Sequence, residues 1–109
     1  MKYLQGFILF VSFLFVSCGN QEIKLTLSEV ERCICEHPDN ALETLRGMNQ
    51  SSLNTKKLRA KYALLYAMAL DKNFIDTTDV SVIMPAVDYY KRHGNPDEKL
   101  KTHFYLGRI

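Results

Sequence analysis

The chain has 109 residues with 14 basic and 12 acidic side chains, room for one small domain and no more. Lys2 is the only charged residue ahead of Cys18, so residues 18–109 carry 13 bases against 12 acids, an even balance that gives no sign of nucleic acid or of a strongly basic membrane patch. The distribution is less even than the sum: residues 18–55 hold six acids and three bases, residues 56–109 six acids and ten bases.

From Gly6 to Val16 every residue is apolar, glycine or serine. The run is shorter than the roughly 20 apolar residues that a membrane-spanning helix needs. A lysine near its start and Ser17-Cys18-Gly19 at its close give the pattern of a secretory signal peptide. Phe15-Val16-Ser17-Cys18 resembles the bacterial lipobox. That resemblance implies a signal peptide over 1–17, a cut flanked by Ser17 and Gly19, and lipidation of Cys18 through palmitate-type chains. It implies export and anchoring to membrane lipid in the cell envelope, with the outer membrane favoured because no aspartate follows the cysteine. An ordinary secreted protein and an uncleaved N-terminal anchor are the other readings of the same run. Several acyl chains hold a small domain on a membrane where one holds poorly, at about 0.8 kcal/mol per buried methylene. Residues 18–27 then read as a polar tether.

Beyond residue 27 strand signals are scarce and helix signals plentiful. Ser28 with Glu31 is a capping-box pattern, and Val30, Cys33, Ile34 and His37 share one helical face as far as Pro38. Pro38 opens a second helix striped by Ala41, Leu42, Leu45 and Met48. After a polar loop over 49–54, a third helix runs over 55–71, with apolar residues around so much of its circumference that it must touch more than one neighbour. Lys56, Lys57, Arg59 and Lys61 crowd its first turns, the end less suited to cations; they read as a solvent-facing edge, with a contact for phosphate or acidic groups as the alternative. A loop over 73–79 precedes a fourth helix with Ile83, Ala86, Val87 and Tyr90 inward, ended by Gly94. Asn95, Pro96 and Glu98 start a fifth, carrying Leu100, Phe104, Tyr105, Leu106 and Gly107 and still running at Ile109. The helical domain is expected over 28–109 and incomplete at its C-terminal side.

Tyr62-Ala63-Leu64-Leu65-Tyr66, Ala86-Val87-Asp88-Tyr89-Tyr90 and Phe104-Tyr105-Leu106-Gly107 resemble successive helix cores of tetratricopeptide repeats. The resemblance covers roughly residues 56–109 and implies an all-α fold of antiparallel hairpins, a TPR-like α-solenoid of about five helices after the signal peptide. It implies that Ala63, Ala86 and Gly107 sit where helices approach closely, with Tyr62, Tyr66, Tyr90 and Leu106 as packing residues. A generic helical bundle with the same spacings is the competing architecture.

Catalytic chemistry finds little support. Cys33, Cys35 and His37 are the only cluster of metal-ligand types, yet a helix points Cys33 and Cys35 roughly 200° apart and four ligands are wanted for zinc. His93 and His103 have no nucleophile or carboxylate at a working spacing. Asp71, Asp76 and Asp79 lack the order of a calcium loop. No enzyme, cofactor or metal is expected. The expectation is a lipid-anchored scaffold that binds another protein or peptide. The alternatives are the extracytoplasmic sensor part of a longer membrane-tethered regulator, or a small metal- or redox-responsive protein using Cys33, Cys35 and His37.

Overall fold

Ile23, Leu27, Val30 and Ile34 recur at helical spacing, and the first helix, α1, follows that stripe over Gly19–Cys33. The computed structural model describes residues 19–109; the signal peptide expected over 1–17, with Ser17, and the lipidation site Cys18 lie outside the described residues. The helix begins well ahead of Ser28. What read as a polar tether over 18–27 is, from Gly19 onward, the first half of α1, with Leu27 fully buried. Ser28 is an exposed residue in mid-helix, because burying a continuous apolar stripe outweighs one capping box inside it.

Pro38 stands in the first turn of α2 (Pro38–Gly47), where its missing N–H leaves no bond unmade. Ala41, Leu42 and Leu45 turn inward, while His37 is exposed and takes no part in the core. Asn49 accepts from the Ser51 N–H at 3.1 Å and shapes a 3₁₀ turn, Gln50–Ser52. Thr55 accepts from the Leu58 N–H at 3.1 Å and starts α3, Lys56–Lys72. Between Leu58 and Leu70, every residue except Arg59, Lys61, Tyr62 and Tyr66 is buried.

Asn73 closes α3, and its side-chain amide donates to the carbonyls of Pro38 at 2.8 Å and Ala69 at 2.7 Å. Phe74 follows with φ of +59° and is 94% exposed. Asp79 accepts from the Ser81 N–H at 3.0 Å, shaping a second 3₁₀ turn, Val80–Val82. The helix α4 (Met84–His93) takes Pro85 in its first turn and buries Ala86 and Tyr90, with Ile83 fully buried just ahead of it. Asn95 and Glu98 cap α5 (Pro96–Arg108) reciprocally: Asn95 accepts from the Glu98 N–H at 2.8 Å and Glu98 from the Asn95 N–H at 3.1 Å.

Among the described residues the fold is all-helical, with five α-helices and no strand. The helices alternate in direction. The Tyr62 hydroxyl near the start of α3 donates to the Leu45 carbonyl near the close of α2 at 2.8 Å, while Asn73 joins the opposite ends of the same pair. Arg108 meets Asp71 at 2.5 Å, so α5 runs parallel to α3. α3 is the hub, packed on α1, α2, α4 and α5; each helix also packs on the next in sequence. On α5 the inward residues are Thr102 and Tyr105, with Leu100 and Phe104 outward. Gly107 was expected at a close helix approach; it is exposed, and a Cβ added there would meet nothing within 4 Å.

Candidate functional site

Three of the concave regions against α3 are large enough to receive a partner, each made by helix ends or faces that packing brings together. The first lies across α1, α3 and α5, a groove of about 280 Å³ with Ile34, Leu64, Leu65 and Met68 beneath it. Its walls carry both signs of charge: Lys61 approaches Glu31 at 3.7 Å, and Lys101 approaches Asp97 at 3.1 Å. The hydrogen bond from Lys101 to Asp97 holds the ammonium pKa above its ordinary value. Tyr90 closes the groove from α4. Burial pushes its phenol far above the ordinary range, and the charges of Glu98 and Glu31 push the same way.

The second region, of about 450 Å³, lies between α2, α3 and the start of α4. Tyr62 and Tyr66, one helical turn apart, stack there with ring centres 5.8 Å apart. Burial raises the Tyr62 pKa, a hydrogen bond with Gln50 working against it. Arg46 reaches the Tyr66 hydroxyl at 3.5 Å, and Arg59 donates to the Leu53 carbonyl at 2.9 Å. Arg59 and Pro85 also border the third region, a cleft of about 450 Å³ between the start of α3 and the close of α4. Lys56, Lys91, Arg92 and His93 complete it, with Asp88 as its one acid. Tyr89 packs against His93 with ring centres 4.8 Å apart.

The packing residues expected from sequence divide accordingly. Ala63, Ala86 and Tyr90 are buried where α3 and α4 meet their neighbours, and Leu106 is half-buried against the same core. Tyr62 and Tyr66 are half-buried, each with its hydroxyl engaged, so they shape a cleft as well as fill a gap. Cys33 is half-buried at the end of α1 and Cys35 is exposed, both as free thiols. Among the described residues no three His, Cys, Asp or Glu side chains come together as a metal set, and no helix is long and apolar enough to cross a membrane.

Sequence reasoning passed over Arg46, Gln50 and the Glu31–Lys61 and Asp97–Lys101 pairs. Asp97 and Lys101 had a local signal, the i, i+4 spacing of opposite charges on one helix. Glu31 and Lys61 had none, since only the packing of α1 on α3 brings them together. A scan of family models, a search of curated proteins and a search of solved structures each find no match.

Proposed function

We propose that this chain is an exported, lipid-anchored helical-repeat protein whose stacked hairpins hold a segment of a partner protein. The observation that carries the reading is the order of packing. Every helix packs on its successor, and α3 packs on both α1 and α5, the relation that stacked tetratricopeptide-type hairpins have to one another. Buried alanines, Ala63 and Ala86, lie in the shared core. In such a stack the alternate helices α1, α3 and α5 form the receiving face. The groove across them offers an apolar floor and walls of both signs, suited to a short peptide segment that presents apolar anchors between charges. The activity proposed is binding, and the anchor rests on the lipobox-like Phe15-Val16-Ser17-Cys18.

Two measurements test the two halves of the reading. The native protein taken from the membrane fraction should have the mass of residues 18–109 plus acyl chains that delipidation removes; a lipid-free mass for the same residues overturns the anchor. A photoreactive residue at Lys61, and separately at Lys101, should capture one and the same partner in intact envelopes, and one at Thr78 should not. No common partner from the two groove positions overturns the scaffold.

A second reading draws on α5. Leu100 and Phe104 are 71% and 55% exposed on its outer side, an apolar edge suited to a further helix. That edge favours the extracytoplasmic sensor part of a longer membrane-tethered regulator, in which the same groove transmits occupancy to that helix.

A further inference from the structure

Folding sorts charges that the sequence leaves interspersed. Because the helices alternate in direction, the starts of α1, α3 and α5 share one end of the bundle with the closes of α2 and α4. Segments 19–26, 43–64 and 88–102, which make that end, hold ten basic and five acidic residues; segments 27–42, 65–87 and 103–109, at the other, hold three and seven. A nearly neutral chain thus becomes a strongly polarised body. Cations gather most densely in the cleft between the start of α3 and the close of α4, where Lys56, Arg59, Lys91 and Arg92 face Asp88 alone. Lys56, Lys91 and Arg92 are exposed and form no ion pair with a described residue. A concave surface lined by one sign of charge focuses its field on an incoming ion of the other sign.

The same end is where α1 begins. Its first residue, Gly19, is bonded to Cys18, and α1 packs against the turn Gln50–Ser52 that leads into α3. The Glu31–Lys61 approach sets the register of the two helices. From it, the start of α1 overhangs the start of α3 by about 10 Å at 1.5 Å per residue.

We propose that this basic end docks on anionic phospholipid, the cleft of Lys56, Arg59, Lys91 and Arg92 taking headgroup phosphate. The inference rests on the lipid-anchor reading, which puts the acyl chains on the residue next to Gly19. Measured along the helix axes, the start of α3 stands about 10 Å, roughly one Debye length, behind the start of α1, so the bundle leans to bring the cleft onto the headgroups of an anionic leaflet. Acyl chains and a basic patch are two signals that together give stable attachment. The bundle then stands on its basic end, with Asp76 and Asp79 directed away from the lipid. An acidic protein segment is the competing occupant of the cleft; the position of the cations at the same end of the bundle as the start of α1 favours lipid.

The test reconstitutes the full chain, with its native N-terminus, into nanodiscs of phosphatidylcholine alone or with about one third phosphatidylglycerol, and follows lysine acetylation by mass spectrometry. Lys56 and Lys91 should react several-fold more slowly in the phosphatidylglycerol discs, Lys72 at the opposite end should react equally in both, and the protection should fade between about 50 mM and about 500 mM salt, as the Debye length shrinks. The double variant Lys56→Gln/Lys91→Gln should leave the remaining labelling pattern identical in the two lipids. Equal rates at Lys56 and Lys91 in both discs overturn the docking face while leaving the anchor intact. Protection by added octaglutamate in neutral discs, with none from phosphatidylglycerol, reassigns the cleft to an acidic protein segment and also overturns it. A chain that enters neither disc overturns the docking face together with the anchor.

Discussion

Gly94 owes its identity to contact. Its φ of −78° suits any residue, but a Cβ there would lie 2.8 Å from the Tyr90 carbonyl oxygen and 2.9 Å from the Tyr90 Cβ. Backbone leaves little room to give, so Gly94→Ala should destabilise the chain by about 1–3 kcal/mol, seen as a lower urea midpoint at unchanged slope. Phe74 is the converse case, a bulky residue at φ of +59° with almost no packing to hold it there. Phe74→Gly removes a strain of about 1–2 kcal/mol and should raise the same midpoint, less the entropy that glycine adds to the unfolded chain. Tyr90 predicts an alkaline limit. Its folded pKa stands above the unfolded value, near 10, so the folded chain keeps a proton that the unfolded chain has released. The stability this contributes is complete below about pH 10 and is lost as pH rises beyond it. Circular dichroism should show an unfolding transition in that range, and Tyr90→Phe should move it to higher pH.

At the scale of elements, burial on α3 and exposure on α5 give opposite expectations for the same substitution. Leu65 is 2% exposed in the hub helix, and Leu65→Ala should cost about 2–5 kcal/mol. Leu100→Ala on the outer side of α5 should stay within about 0.5 kcal/mol; denaturant titration of the pair tests the assignment of inner and outer faces. α3 was legible from sequence because Thr55 is a cap of the right type and the alanine–leucine run wraps its whole circumference. Pro38 and the Asn95–Glu98 box were legible for the same reason: local chemistry decides them. The start of α1 was not, since Ser28 offered a local start that burial of Ile23 and Leu27 overrules. Nor was the inner face of α5. Its apolar residues point several ways, and Thr102 goes inward because its hydroxyl is already satisfied by the Glu98 carbonyl at 2.7 Å. The concave regions were least legible, since each needs helix ends that only the packing brings together.

At the largest scale, among the described residues, one hub helix touching all four others makes cooperativity depend on α3. Amides of α3 should exchange slowest, through global opening, while those of α1 ahead of Leu27 and of the last turn of α5 exchange faster through local opening. Hydrogen exchange followed by mass spectrometry reads this directly, and uniform protection along the chain contradicts the hub. Charge polarity belongs to the same scale. Lys56 and Lys91 lie far apart in sequence, and the alternation of helix direction alone sets them side by side; this is why an even net charge concealed a basic end.

The loop that presents Phe74 joins the two helices with the most extensive contact in the fold, and it lies at the end away from Gly19. An aromatic side chain offered on such a bend is what a chymotrypsin-like protease accepts. Among the described residues, a single cut there leaves α1 to α3 in one piece and α4 and α5 in the other, joined by the packing of α3 on both. The molecule therefore carries a built-in seam, at which it divides into halves that can find each other again or accept an inserted reporter.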